Sequence, residues 1–449
     1  MKILLAQNAS YCPALGGANR SNRTLLESLA RLGHHCEVVA TAVPGAESAP
    51  GAGFSVLADD GETQLIDCQG IAVHAVRVRA TLDSARLRKV LLARIAAFQP
   101  DRVLVSTEDV GQVLLEAAVS QDAARVVYLA RTTLYLPFGP DCFAPAPERT
   151  ALLHKVGGIA VVGDYLKDYF RQHAGLDADV LPISLFGEGP FPDFGNFEDG
   201  FVTLVNPCAY KGLPIFLALA DAFPTVRFAA VPTWGTTSDD LLAMKARPNI
   251  SVLEPVEDMD RLFARSRVML VPSLWAEAKS RTIVEAMLRG IPVMASDVGG
   301  NPEAKLGVDY VLPVNPLRGY HAACDERSLP VADVPPQDVG PWRDALARLL
   351  GDRAHYEEVS ARSRRAAHDY LASRGGSERV AAWLATLPTR GVPSAVHTAG
   401  AADLSLTPPP GSSAASVSSL AQLSPAQRAL LAQRLRQRSA ATPDTPKDE

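Results

Sequence analysis

Residues 272–303 read PSLWAEAKSRTIVEAMLRGIPVMASDVGGNPE and carry the clearest local signals in the chain. Two glutamates in this stretch, Glu277 and Glu285, are separated by seven residues. Glu277 follows an apolar strand predicted at 268–271, whereas Glu285 lies in an amphipathic helix predicted at 281–289. The N-terminus of that helix lies between the two carboxylates, and helix N-termini bind phosphate through unpaired amides and the helix dipole. The stretch therefore suits a ligand that carries a sugar, a diphosphate and a ribose in line.

The composition of the chain excludes several classes of protein. Its 449 residues suffice for two domains with extra segments, and a hydrophobic content of 47% can fill large cores. The net charge of −5 gives no basic surface of the kind that binds nucleic acid, so no nucleic-acid partner is expected. Six scattered cysteines form no CxxC pair, which predicts reduced thiols in a cytoplasmic protein, without disulfides or structural zinc. No run of 18 apolar residues exists, so no transmembrane segment is predicted.

Two series of short apolar strands alternate with helices, which predicts two α/β domains with parallel sheets. The first domain is predicted to span 1–185, with strands at 2–6, 36–40, 73–78, 102–105, 125–130 and 158–162. Residues 186–200 are rich in Gly, Pro, Phe and acids, which predicts an interdomain linker. The second domain is predicted to span 201–375, with strands at 201–205, 227–231, 250–253, 268–271 and 293–295.

The glutamate spacing, together with the flanking GIPV at 290–293 and SDVGGNPE at 296–303, resembles a known family. It is similar to the retaining nucleotide-sugar glycosyltransferases of the GT-B fold, specifically glycosyltransferase family four. The resemblance covers about residues 1–390 and is strongest over 201–316. It implies two Rossmann-like domains that face each other across a cleft, with the acceptor on the first domain and the donor on the second. A closing helix at 376–388 would pack back on the first domain.

The resemblance assigns roles to the residues that match the family's motifs. In the family the first glutamate contacts the donor sugar and the second contacts the ribose, which here are Glu277 and Glu285. A lysine aimed at the diphosphate matches Lys211. The implied donor-binding set is Gly16, Gly17, Asn206, Lys211, Val256, Ser280, Arg281, Thr282 and Glu285, and the implied catalytic set is Glu277, Lys211 and Arg131. The paired glycines let backbone amides approach a ligand, and a tight turn alone is the alternative.

A nucleotide diphosphate-sugar, with a UDP-sugar expected, is implied as the co-substrate, and no further cofactor is implied. No Asp-x-Asp motif stands at a plausible strand end, so no metal is expected. Three positions depart from the family's pattern. Asn206 stands near a common arginine, Ser280 stands where the family often has glycine, and Arg131 stands where a histidine is common. These changes bear on the identity of the donor and on the rate, because arginine cannot act as a general base near neutral pH.

Two further segments have open interpretations. The aromatic stretch 132–143, with Tyr135 and Phe138, would line the acceptor side of the cleft or form a packed loop. The tail 389–449 is predicted to be largely disordered, because from 391 onward it has no aromatic residue and is rich in Ala, Ser, Pro and Thr. A short helix is predicted near 423–438, where Ser424 and Gln427 form a capping box. This helix resembles docking segments of peptide and polyketide synthases, and a helix that packs on its own body is the alternative.

The prediction for function is transfer of a sugar from a nucleotide diphosphate donor to an acceptor, with retention at the anomeric carbon. A natural-product or lipid acceptor is expected, as a small molecule or bound to a carrier protein. One alternative is a catalytically weak GT-B scaffold subunit that docks a biosynthetic synthase through its tail. A GT-B sugar epimerase is a third possibility, which the glutamate pair disfavours.

Overall fold

The computed structural model gives the fold over eight stretches of the chain: 1–14, 16–43, 53–78, 85–109, 111–187, 189–256, 258–327 and 329–388. The predicted tail 389–449, including the helix predicted near 423–438, lies outside these described residues. Within the described residues the chain forms two large, mainly parallel sheets, each with its own hydrophobic core. None of the helices described is long and apolar enough to cross a membrane.

The first domain is built on a sheet of nine described strands. They are β1 (Lys2–Ala6), β2 (His35–Thr41), β3 (Ser55–Asp59), β4 (Thr63–Cys68), β5 (Ile71–Val76), β6 (Arg102–Ser106), β7 (Val126–Ala130), β8 (Gly158–Val161) and β9 (Asp179–Val180). Their order in the sheet is β3-β4-β5-β2-β1-β6-β7-β8-β9. All residues of β6 and β7 are buried, because parallel strands of this kind are covered on both faces.

Five helices of the first domain connect these strands. They are α1 (Gly17–Arg31), α2 (Ala85–Phe98), α3 (Val113–Asp122), α4 (Pro147–Leu153) and α5 (Asp164–Ala174). The strands β3 and β4 were not predicted, and they form an antiparallel hairpin that continues into β5. Every residue of β3 is exposed, so this strand lacks the apolar pattern that reveals the others.

The structure corrects the prediction of reduced thiols. Cys12, in the loop after β1, forms a disulfide with Cys68 at the end of β4. The two residues are 56 positions apart, and the unpredicted hairpin brings them together, so no local spacing could reveal the pair. Among the described residues, Cys36, Cys142 and Cys208 are free cysteines.

The second domain contains a sheet of six described strands and a separate hairpin. The strands are β10 (Phe201–Val205), β11 (Phe228–Val231), β12 (Ile250–Val252), β13 (Ser266–Val271), β14 (Val293–Ser296), β15 (Val311–Leu312), and, in the hairpin, β16 (Tyr320–Cys324) and β17 (Pro330–Ala332). The sheet order is β12-β11-β10-β13-β14-β15. The hairpin β16–β17 was not predicted from the sequence.

Eight helices follow in the second half of the described chain. They are α6 (Leu213–Ala222), α7 (Ser238–Lys245), α8 (Asp260–Phe263), α9 (Arg281–Leu288), α10 (Asn301–Ala304), α11 (Gly340–Gly351), α12 (Arg353–Arg374) and α13 (Ser377–Thr386). The helix α9 carries Glu285, and Ile283, Val284, Met287 and Leu288 on its apolar face are buried. The periodicity that predicted this helix thus corresponds to a face packed in the core.

The last described helix, α13, packs on the first domain rather than the second. Its Val380 and Leu384 lie in the core of the first domain. Arg102 of β6, which is 1% exposed, donates hydrogen bonds to backbone carbonyls at the end of α13. The acceptors are Leu384 at 2.9 Å, Pro388 at 2.6 Å, and Leu387. A buried guanidinium therefore satisfies carbonyls that a helix C-terminus leaves without intrahelical partners.

Replacing Arg102 with methionine should lower the free energy of unfolding by about 3 kcal/mol, because the carbonyls that it binds would stay buried without donors. Urea denaturation followed by circular dichroism measures this loss. Arg343→Met is the matched control, since Arg343 is an exposed side chain of α11 and should change stability by less than about 0.5 kcal/mol. Equal midpoints for the two variants would contradict the role assigned to Arg102.

Asp109 follows β6 and lies against the start of α3. Its carboxylate accepts hydrogen bonds from the amides of Leu114 and Leu115, each at 2.9 Å. Burial raises the pKa of Asp109 to about 7, although these hydrogen bonds oppose the shift. The folded chain therefore keeps this proton at pH values where the unfolded chain has lost it. Stability that depends on Asp109 should be present at about pH 4 and lost as pH rises through about 7.

In Asp109→Asn the side chain keeps an acceptor for the helix amides but no longer ionises. Between about pH 4.5 and 7.5, the wild type should lose on the order of 2–4 kcal/mol more unfolding free energy than this variant. Urea denaturation at both pH values measures the difference, with Asp369→Asn on the exposed face of α12 as the control. A wild-type pH dependence identical to that of Asp109→Asn would show that Asp109 does not titrate as described.

Candidate functional site

Four loops at the carboxyl ends of parallel strands form one wall of the interdomain cleft. The loops follow β12, β11, β10 and β13, which lie side by side in that order. They carry, in the same order, Val256, Trp234, Asn206 with Lys211, and Glu277. The start of α1, with Gly17 as its first residue and Gly16 just before it, contributes the facing wall. Ligands of open α/β sheets bind at the carboxyl ends of the strands, which makes this cleft the candidate site.

Lys211 and Glu277 form an ion pair inside the cleft. The ammonium Nζ of Lys211 donates to Oε1 of Glu277, and the hydroxyl of Ser273 donates to the same oxygen at 2.6 Å. Lys211 Nζ also lies 5.1 Å from the ring centroid of Trp275, a favourable cation–π distance. Glu277 is 8% exposed. The structure thus brings together two residues that the sequence assigned to catalysis.

The environment of Glu277 keeps it ionised. Burial alone would raise the pKa of this carboxyl group, but the charge and hydrogen bond of Lys211 outweigh burial, with help from Ser273. The pKa of Glu277 is therefore lowered from its ordinary value. An ionised carboxylate in a nearly dry position accepts hydrogen bonds strongly, which suits the hydroxyl groups of a sugar.

The helix α9 presents its N-terminus between Glu277 and Glu285, as the sequence predicts. Ser280 precedes the helix, and its side chain makes no capping hydrogen bond to the first amides. Arg281 donates to Oε1 of Glu285 at 2.8 Å and, with its other terminal nitrogen, to the Ser21 hydroxyl of α1. The first turn of α9, with half-buried Thr282, therefore offers amides and positive charge to an anion.

The turn at Gly16 and Gly17 approaches the second domain closely. A Cβ on Gly17 would lie 3.6 Å from Cδ of Arg281, and one on Gly16 would lie 3.9 Å from Cδ1 of Trp234. Gly16 has a φ of 88°, a conformation that side chains disfavour. Nearby, Nη2 of Arg20 donates to the Val256 carbonyl at 3.0 Å, so α1 contacts the loop after β12 that carries Val256, a member of the implied donor-binding set.

Asn206 stands near the place where the resembled family commonly has an arginine. It is 3% exposed, and its Oδ1 accepts a hydrogen bond from the amide of Gly235 at 2.9 Å. Its Nδ2 is buried and finds no partner among the described protein groups. Asn206 thus fixes the neighbouring loop instead of adding a cation to the site.

Arg131 is 8% exposed and lies at the junction of the first domain and the linker. Its Nε donates to Asn22 of α1 at 2.6 Å and its Nη1 to Ser184 at 3.1 Å. Burial lowers the pKa of Arg131 to about 9, with Glu108 opposing the shift, so the side chain is charged at neutral pH. Ser184 and Ser21 share a hydrogen bond of 3.2 Å, which links Arg131 to Arg281 rather than to the Lys211–Glu277 pair.

The predicted acceptor-side residues separate in the structure. Tyr135 packs against a small apolar cluster that includes Leu134 of the first domain and Tyr210 of the second. Phe138 instead lies in the core of the first domain, edge-on to Phe170 at a centroid distance of 5.0 Å. Phe138 therefore belongs to the packed loop that was the alternative prediction. The hydroxyl of Thr133 donates to the Ala276 carbonyl at 2.9 Å, which joins this loop to the segment that carries Glu277.

A second interdomain contact involves the SDVGGNPE segment. The ammonium of Lys279 donates to Oε1 of Glu303 at 2.8 Å, so its charge is already paired. The other carboxylate oxygen of Glu303 accepts from the amide of Tyr165 at 3.2 Å, at the start of α5. A Cβ on Gly163 would collide with this carboxylate. Glu303 therefore binds the N-terminus of helix α5 in the first domain, a role that the sequence did not reveal.

The aromatic residues around the Lys211–Glu277 pair are not among the predicted site residues. Trp234, Tyr210, Trp275 and Tyr320 form a chain of rings with centroid distances of 5.8–6.4 Å. They come from four separate loops or strands, so no local motif marks them. Among the described residues, no group of three or more His, Cys, Asp and Glu could hold a metal ion.

The fold and this cleft define the GT-B class of glycosyltransferase architecture, which confirms the predicted fold class. Residues 201–324 match the family model described as Glycosyl transferases group 1. All of the matched residues belong to the second domain. No curated protein sequence matches the chain.

Several solved structures share the fold at low sequence identity. Sucrose-phosphate synthase from Thermosynechococcus elongatus aligns with a TM-score of 0.62 and 16% identity, over 86% of this chain and 97% of that one. WaaG, a glycosyltransferase involved in lipopolysaccharide biosynthesis, aligns with a TM-score of 0.58 and 15% identity, over 86% of this chain and 100% of that one. Anabaena HepE, solved in complex with UDP and glucose, aligns with a TM-score of 0.57 and 16% identity, over 86% of this chain and 100% of that one.

Proposed function

We propose that the chain is a retaining glycosyltransferase of family four that moves a sugar from a nucleotide diphosphate donor, with a UDP-sugar expected. The observation that carries this proposal is the position of the α9 N-terminus between an ionised Glu277 and Glu285. HepE, which shares the fold, was solved with UDP and glucose, and this supports a donor of the same kind. We propose a natural-product, lipid or carrier-bound acceptor. A cytoplasmic location stays an expectation, since the Cys12–Cys68 disulfide removes the argument from reduced thiols.

In this proposal the protein acts by charge stabilisation and alignment. The bond from the anomeric carbon to the donor diphosphate breaks, and a bond to the acceptor oxygen forms on the same face of the sugar. The acceptor's proton passes to the departing diphosphate oxygen, so no protein base is required. Lys211 and the amides at 280–282 neutralise the leaving group, Glu277 orients the sugar hydroxyls, and Glu285 binds the ribose. Activity should therefore not depend on an added metal ion.

Entry of a donor would require small movements of groups that now contact each other. The Val256 carbonyl accepts from Arg20, and the Glu285 carboxylate accepts from Arg281. A base and a ribose at these positions would exchange protein contacts for ligand contacts. Arg20 joins α1 to the loop of Val256, and Arg281 also donates to Ser21 of α1, so both arginines lie where the two domains meet. We therefore propose that opening and closing of the cleft accompanies each turnover.

A panel of nucleotide sugars tests the proposal by thermal shift on the wild type and Glu285→Ala. A rise in Tm with one donor that the variant loses would support the donor site. Nuclear magnetic resonance of the product from that donor then gives the anomeric configuration. An inverted configuration would contradict retention, and the absence of any shift across the panel would contradict the donor site.

A scaffold subunit with little catalysis is the second candidate. It is favoured by Asn206, which binds the Gly235 amide where the family commonly supplies a cation. In this alternative the predicted helix near 423–438, outside the described residues, would dock a biosynthetic synthase. Donor hydrolysis that depends on Glu285 would exclude the scaffold function.

A further inference from the structure

Trp234 is a large apolar residue that the cleft leaves exposed. Its side chain is 40% exposed, and it lies in the loop after β11, facing the turn at Gly16. Its ring centroid is 6.0 Å from that of Trp275 and 6.4 Å from that of Tyr210. Because Trp275 also contacts Lys211, Trp234 forms the exposed end of an aromatic group that begins beside the Lys211–Glu277 pair.

A hydrogen bond with Asn206 holds the loop that carries Trp234 to the end of strand β10. The Oδ1 of this buried side chain accepts from the Gly235 amide at 2.9 Å. A Cβ on Gly235 would lie 2.9 Å from Sγ of Cys208, so the loop packs tightly against the strand end beneath it. The asparagine that replaces an expected cation thus positions the tryptophan.

The hairpin β16–β17 fixes the same loop from the other side. Tyr320 at its start stacks on Tyr210 with a centroid distance of 6.1 Å and an interplanar angle of 27°. At its tip, Nε of Arg327 donates to the Thr236 carbonyl at 2.7 Å, and Glu326 accepts from the Ser238 amide at 2.6 Å. Two independent supports therefore hold an exposed indole in one position, which is the arrangement expected of a binding surface.

Two adjacent glycines contact different residues of the second domain. Gly17 faces Arg281, which pairs with Glu285. The contact between Arg20 and Val256 lies at the loop after β12, which neighbours the loop of Trp234 in the sheet order. Gly16 faces Trp234, whose ring neighbour Trp275 lies beside Lys211 of the Lys211–Glu277 pair. In the order of the loops Trp234 therefore lies between Val256 and the Lys211–Glu277 pair, and Trp275 connects it to the pair proposed to meet the diphosphate and the sugar.

We propose that Trp234 selects the donor sugar by packing its indole face against the C–H groups of the sugar ring, with Asn206 and the hairpin as positioning elements. This inference rests on the proposed donor site. The face of an aromatic ring carries negative charge density, which attracts the slightly positive C–H groups that one face of a pyranose presents. A ring with an axial hydroxyl on that face would fit less well, so the contact discriminates among sugars.

The test compares each nucleotide sugar with its free nucleotide. Isothermal titration of UDP-glucose against UDP, GDP-mannose against GDP, and ADP-glucose against ADP gives the affinity that the sugar adds. In Trp234→Ala the affinity for the preferred nucleotide sugar should fall about tenfold, whereas that for its free nucleotide should stay within about twofold. Trp234→Phe should retain most of the sugar-dependent affinity, and Leu242→Ala, at an exposed leucine of α7, should change neither value.

The outcomes separate this inference from the proposed function. Equal losses for the nucleotide sugar and the free nucleotide would mean that Trp234 stacks on the base, and unchanged affinities would mean that it binds neither group; both would overturn the inference alone. A wild type that binds none of the six ligands would overturn the proposed function and this inference with it.

A second pair of variants tests the positioning role of Asn206. Asn206→Asp keeps an acceptor for the Gly235 amide and should keep the ratio of nucleotide-sugar to nucleotide affinity. Asn206→Leu removes the acceptor and should lower that ratio as Trp234→Ala does. The same ratio in Asn206→Leu as in the wild type, with both proteins folded by circular dichroism, would contradict the positioning role.

Discussion

Lys211→Met is expected to lower kcat for donor turnover by about 10²–10³-fold, because it removes the cation that would meet the leaving diphosphate beside Glu277. Methionine keeps the length and apolar stem of lysine without its charge. Release of the nucleoside diphosphate, measured in a coupled assay with the donor selected by the panel, gives kcat. Lys245→Met, at an exposed position at the end of α7, is the matched control and should keep wild-type turnover.

The same substitution should also destabilise the fold by about 3 kcal/mol, since the carboxylate of Glu277 would stay buried without its cation. The double variant Lys211→Met/Glu277→Gln should recover most of this stability, because the neutral amide needs no cation, while turnover stays low. A kcat for Lys211→Met within tenfold of the wild type, in a folded protein, would contradict the assigned role.

Glu285→Ala should weaken the binding of the free nucleoside diphosphate by about 10–100-fold, because a charged acceptor for the ribose hydroxyls is lost. The affinity for inorganic pyrophosphate, which has no ribose, should change by less than about twofold. Isothermal titration of both ligands measures the two effects on one protein. This comparison separates a contact to the ribose from a general disturbance of the site.

Glu358→Ala, at an exposed position of α12, is the control for the loss of a carboxylate. Because Glu285 also pairs with Arg281, a loss of pyrophosphate affinity equal to that of the nucleotide would mean that Glu285 acts on the phosphate end through Arg281. That result would contradict the assignment of Glu285 to the ribose.

The parts of this protein that the sequence predicts are those set by local patterns. The helix α9 follows from the spacing of Val284 and Met287, which are buried side by side in the core. Glu285 on that helix and Glu277 before it follow from the same stretch. The central strands follow because residues buried on both faces form continuous apolar runs such as Val126–Ala130.

The parts that the sequence does not predict depend on contacts between distant segments. The hydrogen bond that ties Asn206 to Gly235 joins two loops, and the stacking of Tyr320 on Tyr210 requires a hairpin with little apolar pattern. Phe138 belongs to an aromatic stretch of the kind that lines clefts, but its ring is buried in the first-domain core, where it packs against Phe170. Only the packed structure decides whether an aromatic side chain faces the core or the cleft.

The structure of the complex with a donor analogue tests the central claim most directly, and a nucleotide sugar with fluorine at the sugar 2-position would resist turnover. We expect the diphosphate about 3 Å from the amides at 280–282 and from the ammonium of Lys211. The ribose should contact Glu285, and the sugar should lie between Glu277 and Trp234. A diphosphate bound away from the N-terminus of α9, or a nucleotide in the reverse orientation, would contradict the account.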